Sequence, residues 1–330
     1  MLTIYMNITE KEHNSFINII IVDFNTIEKT IGYIEDCIAK MYGCDFGFTI
    51  VDNLEGHESL DHILNTFEVE KEDVIDGKMV KTFHLRGKIV NYIYNGVNVG
   101  YARGNNLGFH ISKMIYEFDY FIISNNDLIL PDKFDLTHYV NCFKKHQEIG
   151  VIGPEIIGLQ NESQSPYKRR SIWQTIILYS LIWPLNKLSN RLDDYCSDLD
   201  MNKNNHMCYW VQGSFLVVNS EAFENAGMFD ENTFLYCEEM ILAERLNAIS
   251  KGMYFDNRYK IIHNHGESTK KYYDFFGRER LAFKSKSYYF EHYRHTNRLT
   301  IIFAKVCSEI YLIKKRIQFK VKTWKNIKLK

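Results

Sequence analysis

The sequence predicts an α/β protein with a mainly parallel sheet that helices cover on both faces. Apolar runs of strand length alternate along the chain with segments whose apolar residues recur every three or four positions, the spacing of one helix face. Polar side chains also collect directly after several of the apolar runs. In an open α/β sheet the carboxyl ends of the strands border the ligand crevice, so the same pattern predicts where a binding site lies.

The first strand and the first helix show this alternation most clearly. Residues 16–24, FINIIIVDF, are almost continuously apolar and predict a buried strand. Residues 26–41 predict a helix because their isoleucines have helical spacing. These residues are Ile27, Ile31, Ile34 and Ile38.

Further elements follow in the same alternation up to residue 153. Arg86 and Gly87 separate two short apolar runs, which predicts a turn between strands, and Pro131 suits the first turn of a helix. Residues 55–80 are charged and poorly periodic, so no element is predicted there. The predicted elements are strands over 46–51, 81–85, 88–94, 120–124 and 151–153, and helices over 105–118 and from 131 to about 146.

The chain changes character after Gly158. Residues 159–208 are irregular and carry the basic group Lys168–Arg170 in front of an apolar stretch over 172–185. The elements predicted beyond are a strand over 209–218, a helix over 238–250, a strand over 253–262 and helical segments from 273 to the end.

Composition excludes several classes of protein. With 45% hydrophobic and 15% aromatic residues among 330, the chain has ample material for a folded core. A formal net charge of −1 does not suit a nucleic-acid-binding polycation, so no nucleic-acid partner is expected. The seven cysteines contain no C-x-x-C pair, which indicates a reducing compartment and no zinc site. Residues 1–18 predict no signal peptide, and no apolar run of about 18 residues predicts a transmembrane helix.

The C-terminal segment is strongly basic. Residues 311–330 contain eight Lys or Arg and no acidic residue, and apolar side chains are interleaved with the charges. The segment is interpreted as a solvated basic helix, as an interfacial segment on an anionic membrane leaflet, or as an RNA-binding segment. In the membrane interpretation, Trp173, Trp183 and Trp324 lie at the headgroup level and the attachment is peripheral and salt-sensitive.

Three polar clusters follow predicted strands, namely 23–25, 52–53 and 125–127. Asp and Asn are poor strand formers, so ordinary turn chemistry explains each cluster alone. Because the carboxyl ends of parallel strands share one edge of a sheet, the three clusters together also predict a common ligand site.

A glycine-rich stretch, NVGYARGNNLGF over 98–109, is the most distinctive part of the sequence. Gly100, Gly104 and Gly108 recur every four residues, without the spacing of either common phosphate-loop motif. The stretch is interpreted either as a structural turn or as a turn whose free backbone N–H groups attract an anion at the start of a helix.

Two later stretches carry acids and histidines. In GMFDENTFLYCEEMILAERL, Glu238 and Glu239 lie in the first turn of a predicted helix, either as capping acids or as a general base with a hydroxyl anchor. In IIHNHGES, His263 and His265 follow a strand and are either structural or ligands of a metal or a phosphate.

Together these motifs resemble those of the family-2 glycosyltransferases, especially the rhamnosyltransferase-like members that build bacterial surface polysaccharides. The motifs are IVDFN (21–25), IVDN (50–53), NVGYARGNN (98–106), SNNDLIL (124–130), VIGPEI (151–156), WVQGSFLVV (210–218), FDENTFLYCEE (229–239) and HNHGES (263–268). The resemblance spans about residues 17–270 and implies a GT-A domain over 1–270, with a donor half over about 1–130 and an acceptor half over about 131–270. A helical, basic extension over 271–330 is expected to follow that domain.

The resemblance also implies cofactors and residue roles. It implies a nucleotide-diphosphate sugar donor, a divalent metal (Mn²⁺ or Mg²⁺) and inversion of the anomeric centre. Glu239 matches the general base, Glu238 its neighbour that anchors the acceptor, and Asp127 the last acid of the metal motif, with His263 as a further metal ligand. The other implied contacts are Asp23, Asp52, Asn98, Gly100, Asn105 and Asn126 to the nucleotide sugar, and Gly213 and Trp210 to the acceptor.

The expected function is that of an inverting glycosyltransferase in the cytoplasm, peripherally attached to the inner face of the cell membrane. It would move a sugar from dTDP-rhamnose or a UDP-sugar to a lipid-linked saccharide in capsule, O-antigen or cell-wall polysaccharide synthesis. Two alternatives stay open. The first is an inactive family member that serves as an assembly scaffold, because the chain has Glu238-Glu239 where the family usually has Glu-Asp. The second is a sugar-nucleotide nucleotidyltransferase, although that class needs a glycine- and Lys/Arg-rich loop, which VDFNTIEKT lacks.

Overall fold

The structure, a computed structural model, describes residues 16–182, 206–264 and 274–328. Its strands are β1 (Ile17–Asp23), β2 (Met41–Tyr42), β3 (Phe46–Asp52), β4 (Val69–Ile75), β5 (Lys78–Leu85), β6 (Lys88–Tyr94), β7 (Tyr120–Ser124), β8 (Leu128–Ile129), β9 (Phe134–Asp135), β10 (Ile149–Gly158), β11 (His206–Cys208), β12 (Phe215–Asn219) and β13 (Gly252–His263). Its helices are α1 (Ile27–Lys40), α2 (Glu58–Thr66), α3 (Gly100–Ile115), α4 (Leu136–Lys145), α5 (Tyr179–Ile182), α6 (Ser220–Asn225), α7 (Glu238–Ala248), α8 (Phe275–His292) and α9 (Arg298–Lys328), with a π-helical segment, Trp173–Leu178, directly before α5.

All strands except β2 and β9 form one mixed sheet in the order β11-β13-β10-β12-β7-β1-β3-β6-β5-β4, with β8 beside β13. The four strands β7, β1, β3 and β6 are mutually parallel, and so are β10 and β13. Strand β12 runs antiparallel between β7 and β10. The α/β class is confirmed, but the sheet is mixed rather than mainly parallel.

Two tight hairpins explain the antiparallel edge formed by β4, β5 and β6. Asp76–Gly77 and Arg86–Gly87 join these strands, and all four residues have positive φ angles between 48° and 80°. A two-residue turn with positive φ matches the twist of a hairpin and leaves no chain for a crossover helix. The turn predicted at Arg86–Gly87 is therefore confirmed.

The central strands are buried on both faces, as their apolar runs predict. Ile17, Ile19 and Ile21 of β1 belong to one core cluster, which also contains side chains of α1 and α4. Ile20 points to the opposite face and belongs to a second cluster, which contains side chains of α3, α6 and α7. Helices on both faces leave the carboxyl edge of the parallel strands as the accessible part of the sheet.

The regularly spaced glycines belong to helix α3, which begins at Gly100, five residues earlier than predicted. Gly104 and Gly108 lie on the face of α3 that packs against the sheet. A Cβ atom built on Gly108 would lie 2.6 Å from Ile20 Cγ2 and 2.9 Å from Val51 Cγ2. The structural interpretation therefore holds for Gly104 and Gly108, because close approach of the helix to the sheet leaves no space for side chains.

Several element predictions were wrong in their bounds. The charged segment 55–80, for which no element was predicted, contains all of α2 and β4 and the start of β5. Pro131 does not begin a helix; α4 begins at Leu136, where the Asp135 carboxylate accepts a hydrogen bond of 3.0 Å from the Thr137 N–H and caps the helix. Tertiary pairing of β4 with β5 explains the first error, because charged residues are tolerated on an exposed edge strand.

Other errors concern the second part of the chain. The strand predicted over 151–153 extends over ten residues as β10, and the strand predicted over 209–218 begins only at Phe215. Within the region predicted to be irregular, 159–208, the structure forms the π-helical segment, α5 and β11, and residues 183–205 of that region lie outside the described residues.

The two C-terminal helices share a core with the rest of the molecule. Tyr289 and Phe290 of α8 and Cys307 of α9 are buried in one cluster with Ile176 of the π-helical segment and Ile241 of α7. Since α7 begins with the two adjacent glutamates, this cluster joins the C-terminal helices directly to the element that carries them.

We expect Gly108→Ala to lower the free energy of unfolding by about 1–3 kcal/mol, because the added methyl group overpacks the interface between α3 and the sheet. Gly32→Ala in α1 is the matched control, since a Cβ atom there meets nothing within 4 Å. That change should raise stability by about 0.4–1 kcal/mol through helix propensity and chain entropy. Urea denaturation of both variants checks the prediction, and equal effects at the two sites would contradict it.

Candidate active site

The polar clusters that the sequence places after strands meet at the carboxyl edge of the parallel strands. Asp23 and Asp52 are register partners at the ends of β1 and β3, and Asn126 and Asp127 follow β7 beside them. The Asn126 side-chain amide donates a hydrogen bond of 3.2 Å to Asp23 Oδ1. The structure therefore brings these clusters into one continuous polar edge.

Asp23 is fully buried and holds the turn between β1 and α1 together. Its carboxylate accepts hydrogen bonds from the Thr26 N–H at 3.1 Å, from Thr26 Oγ1 at 2.7 Å and from Thr30 Oγ1 at 2.5 Å. Asn126 also donates to Thr26 Oγ1 and Thr30 Oγ1, at 2.9 and 2.6 Å. The same side chains therefore stabilise the turn and line the edge of the sheet.

Asp52 is buried and accepts hydrogen bonds from the Tyr92 hydroxyl and, at 3.0 Å, from the Leu54 N–H. Burial raises the pKa of the Asp52 carboxyl from 3.8 to about 6, and the two hydrogen bonds oppose this rise. Next to it, His57 and Tyr94 stack with ring centroids 5.2 Å apart. The sequence analysis missed this aromatic pair, because His57 lies in the charged segment to which no element was assigned.

The start of α3 is tied to the turn that precedes α7. Asn98 Oδ1 accepts a hydrogen bond of 3.1 Å from the Gly100 N–H, and Gly100 has a φ of +84°. A side chain at Gly100 would overlap the carbonyl oxygen of Phe234, which accepts a hydrogen bond of 3.0 Å from the Tyr101 N–H. Asn105 is buried one turn further along and donates to the Tyr101 carbonyl at 2.9 Å. Gly100 is therefore required by both backbone conformation and space.

Glu238 and Glu239 begin α7 directly after a strained turn. Tyr236 and Cys237 each have a φ of +74°, a conformation that costs a non-glycine residue about 1–3 kcal/mol. Gly213 lies opposite, and any side chain there would overlap the Glu239 carboxylate. The positive end of the helix dipole favours carboxylates at this position.

The two glutamates have different proton affinities. Glu238 is 3% exposed, and burial, followed by the charge of Glu239, raises its pKa from 4.5 to about 8. Burial also raises the pKa of Glu239, but backbone N–H groups of Gly213 and of Glu239 itself oppose that rise. At neutral pH the pair therefore holds a proton mainly on Glu238, which leaves Glu239 as the carboxylate able to accept one.

Asp127 and His263 form a second ionisable pair near the end of β7. His263 Nε2 lies 3.3 Å from Asp127 Oδ1, and both side chains are at most 10% exposed. His263 Nδ1 lies 3.1 Å from Gln164 Oε1 and 3.5 Å from Gln212 Nε2, so the ring is held by side chains on its other side. A carboxylate and an imidazole nitrogen are both ligands that a divalent metal ion accepts, so the chemistry of the pair fits such an ion.

Asp127 and His263 are the two described residues that would hold such an ion. No group of three His, Cys, Asp or Glu side chains suited to a metal occurs among residues 16–182, 206–264 and 274–328. Mg²⁺ and Mn²⁺ are commonly held by one or two protein ligands together with substrate phosphates. His265, the second candidate histidine, lies outside the described residues.

A cavity of about 470 Å³ opens beside the two glutamates. Both Glu238 and Glu239 line it, together with Gly213 and with Trp210, which stacks on Tyr167 at a centroid distance of 3.9 Å. The predicted acceptor contacts therefore meet in one cavity, whereas the predicted nucleotide contacts lie along the sheet edge.

Several side chains of this cavity were missed by the sequence analysis. Tyr101 lines the cavity and donates a hydrogen bond of 2.6 Å to the Gly213 carbonyl. Lys168 and Arg170, two members of the basic group in front of the apolar stretch, line it as well. Lys286 of α8 completes the set, and nothing in the sequence linked that helix to the site.

A large mixed sheet with helices on both faces and a polar edge at its parallel strands is the architecture of a GT-A glycosyltransferase. The chain is similar to a solved structure of this kind, the crystal structure of GalNAc-T7 with UDP, GalNAc and Mn²⁺, with a TM-score of 0.50 and 12% identity. The similarity covers 77% of this chain and 44% of that chain, so less than half of the solved chain is matched.

Among curated proteins, the chain is similar to rhamnosyltransferase WbbL of Escherichia coli (strain K12). The two are 22% identical over 204 residues, which cover 60% of this chain and 72% of that protein. No family model matches the chain. The similarities support glycosyltransferase-like activity at this general level.

No helix in the described part of the chain combines the length and the apolar character that crossing a membrane requires.

We expect Glu238→Gln to stabilise the fold increasingly as the pH rises from about 5 to about 8. In this window the folded wild type keeps a proton on Glu238 that the unfolded chain loses, so its stability falls with rising pH, whereas glutamine does not titrate. The stability difference should grow by on the order of 1–3 kcal/mol across the window.

Denaturant titrations at pH 5, 6.5 and 8 measure this difference. Glu224→Gln, at an exposed glutamate of α6, is the matched control and should show a difference that does not change with pH. A constant difference for Glu238→Gln as well would mean that Glu238 is ionised throughout.

Proposed function

We propose that the protein is an inverting glycosyltransferase that moves a sugar from a nucleotide-diphosphate sugar to a hydroxyl group of a saccharide acceptor. The observation that carries this proposal is the pair Glu238–Glu239, two adjacent carboxyl groups with different proton affinities on the wall of the cavity. The similarity to WbbL, which is named a rhamnosyltransferase, supports the same class of reaction. The proposed donor is dTDP-rhamnose or a UDP-sugar.

In this proposal Glu239 is the general base. The acceptor hydroxyl loses its proton to Glu239 while its oxygen attacks the anomeric carbon, and the bond from that carbon to the diphosphate oxygen breaks. Attack in line with the leaving diphosphate inverts the anomeric centre. Glu238, protonated at neutral pH, donates a hydrogen bond that orients the acceptor, and the missing side chain of Gly213 lets the acceptor reach Glu239.

The donor lies along the polar edge of the sheet. Asp52 and the stacked pair His57–Tyr94 would contact the nucleoside, and Asn98 would contribute through the turn that it holds at the start of α3. Asp23, Gly100, Asn105 and Asn126 shape this pocket through their own hydrogen bonds and close contacts.

Asp127 and His263 are the residues that would hold a divalent cation, Mn²⁺ or Mg²⁺, against the diphosphate. The cation would offset the charge that develops on the leaving group. The solved GalNAc-T7 structure contains both UDP and Mn²⁺, which supports this arrangement.

Two variants separate the proposed roles. Glu239→Gln should lower turnover about 10²–10⁴-fold, the usual share of a general base, and leave metal-dependent donor binding intact. Asp127→Asn should instead remove the effect of the metal on nucleotide binding, because one of the two protein ligands is lost.

The measurements are calorimetric titrations of UDP-, dTDP- and GDP-sugars with and without Mn²⁺, followed by donor hydrolysis and sugar transfer assays. Near-normal turnover by Glu239→Gln would contradict its role as the base. Donor binding without turnover in the wild type would favour the alternative of an inactive scaffold.

The proposal includes a peripheral contact with an anionic membrane leaflet, through which a lipid-linked acceptor reaches the cavity. Helix α9 extends over 31 residues, or roughly 46 Å. One face of it, here called the apolar stripe, consists of exposed side chains at helical spacing. The stripe contains Leu299, Ile302, Phe303, Val306, Ile310, Ile313, Ile317 and Val321.

Two further features favour a lipid surface as the partner of the apolar stripe. Trp173 is 52% exposed, and its ring lies 6.0 Å from that of Phe303, so an aromatic side chain extends the stripe. Residues 311–330 carry only positive charge, which complements anionic headgroups. Trp183 lies outside the described residues, and so does the side chain of Trp324.

We expect the double change Ile313→Glu and Ile317→Glu to weaken binding to anionic vesicles at least about tenfold, because it removes apolar area and adds repulsion from the headgroups. Val74→Glu with Leu159→Glu is the matched control, since both side chains are exposed and lie outside the C-terminal helices. Co-sedimentation with phosphatidylglycerol vesicles at low and high salt measures the effect.

Wild-type binding should fall at high salt, and the control should behave like the wild type. Equal vesicle binding by all three proteins would contradict the membrane contact. A stripe variant that dissociates a dimer in size-exclusion chromatography, without a change in vesicle binding, would assign the stripe to a second copy of the chain.

A further inference from the structure

The cavity beside Glu239 has a positively charged wall. Lys168, Arg170 and Lys286 all line it, and all three are partly buried. The intervening residue, Arg169, forms a two-pronged ion pair with Glu244 at 3.0 Å instead. The basic group of the sequence is therefore divided, and two of its three charges are directed at the cavity.

These cations do not lower the pKa values of the two glutamates. Burial dominates the raised pKa values of Glu238 and Glu239, and no Lys or Arg is among the groups that lower them. A cation close to either carboxylate would stabilise its charged form. The cavity wall therefore carries carboxyl groups together with ammonium and guanidinium groups that do not lower their pKa values.

Lys286 is the cation that helix α8 contributes to this wall. No carboxylate of the described residues lies within 4.0 Å of its ammonium group, and it makes no hydrogen bond to a described residue. By contrast, Arg280 on the same helix pairs with Glu309 at 3.4 Å. A partly buried cation without a carboxylate partner retains its attraction for an anion that enters the cavity.

The same cavity wall includes an aromatic surface. Trp210 and Tyr167 stack with an interplanar angle of 11° and both line the cavity. A flat aromatic face packs well against the apolar face of a sugar ring and is tolerant of its hydroxyl pattern. The cavity wall thus combines carboxyl groups, a surface for a ring and a set of cations.

We propose that Lys168, Arg170 and Lys286 form a subsite for a phosphate or diphosphate group that is bonded to the acceptor sugar. This inference rests on the proposed function and identifies a chemical group of the acceptor, held while a hydroxyl of its sugar faces Glu239. Arg and Lys are the side chains that bind phosphate oxygens through charge-assisted hydrogen bonds.

The position of α8 connects this subsite with α9, the helix that carries the apolar stripe. Lys286 and Ala282 of α8 line the cavity, and Phe275 at the start of α8 packs against Phe319 of α9 with a centroid distance of 5.8 Å. The same pair of helices therefore offers a cation to the phosphate and an apolar face to a lipid chain. A lipid-linked sugar phosphate presents both groups in that order.

The test uses the full-length protein with UDP and dTDP present to occupy the nucleotide pocket. Geranyl diphosphate, inorganic phosphate and geraniol are titrated into it by calorimetry. Lys286→Gln should weaken geranyl diphosphate binding about tenfold, because one charge-assisted contact is lost. Lys284→Gln is the matched control, because Lys284 is exposed on the same helix and does not line the cavity.

Unchanged affinity of geranyl diphosphate for Lys286→Gln, or no binding to the wild type, would overturn the subsite. Inorganic phosphate that binds as tightly as geranyl diphosphate would identify a free anion rather than a lipid-linked group. These titrations require no turnover, so they test the subsite independently of the proposed function. The proposed function is tested by donor hydrolysis.

Discussion

The site depends on one contact, the docking of the start of α3 on the turn that leads into α7. Tyr101 donates its backbone N–H to the Phe234 carbonyl at 3.0 Å and its hydroxyl to the Gly213 carbonyl at 2.6 Å. One turn further along, Asn106 donates to the Phe229 carbonyl and accepts from the Phe229 N–H, at 3.0 and 3.2 Å.

These contacts fix the distance between the two parts of the site. The start of α3 borders the sheet edge with Asp23 and Asp52, whereas the turn before α7 orients Glu238 and Glu239. The contact is possible because Gly100 has no side chain. The contact also stabilises the strained backbone conformation of Tyr236 and Cys237. A rigid connection of this kind keeps a base and a leaving group in line during a displacement.

The sequence predicted much of this arrangement because its signals are local. The apolar run over 16–24 identified β1, because a strand that is buried on both faces is continuously apolar. The spacing of isoleucines identified α1, because a helix that is buried on one face has apolar residues every three or four positions. The polar clusters identified the site edge for the same reason, since a polar residue at a buried strand end requires a partner or a ligand. Asp23, Asp52 and Asn126 lie together as that argument requires.

The remaining features arise from tertiary contacts that leave no local pattern. The strand β4 is charged because it lies at an edge of the sheet, and only its pairing with β5 makes it a strand. Lys286 lies 47 residues beyond Glu239 in the sequence, so its place on the cavity wall follows from the packing of α8 on α7. The glycine spacing in α3 indicated a special backbone, but it did not reveal that Gly108 serves helix packing.

The electrostatics of the cavity follow from the same packing. When α8 and the π-helical segment cover α7, they remove water from Glu238, and the resulting burial raises its pKa. Lys286 of the same helix lines the cavity together with Glu238 and Glu239. A cavity wall that excludes water strengthens the attraction of the carboxyl groups for a hydroxyl and of the cations for an anion. Under the proposed subsite, an acceptor that carries both groups would therefore bind in one orientation, with its hydroxyl towards the base.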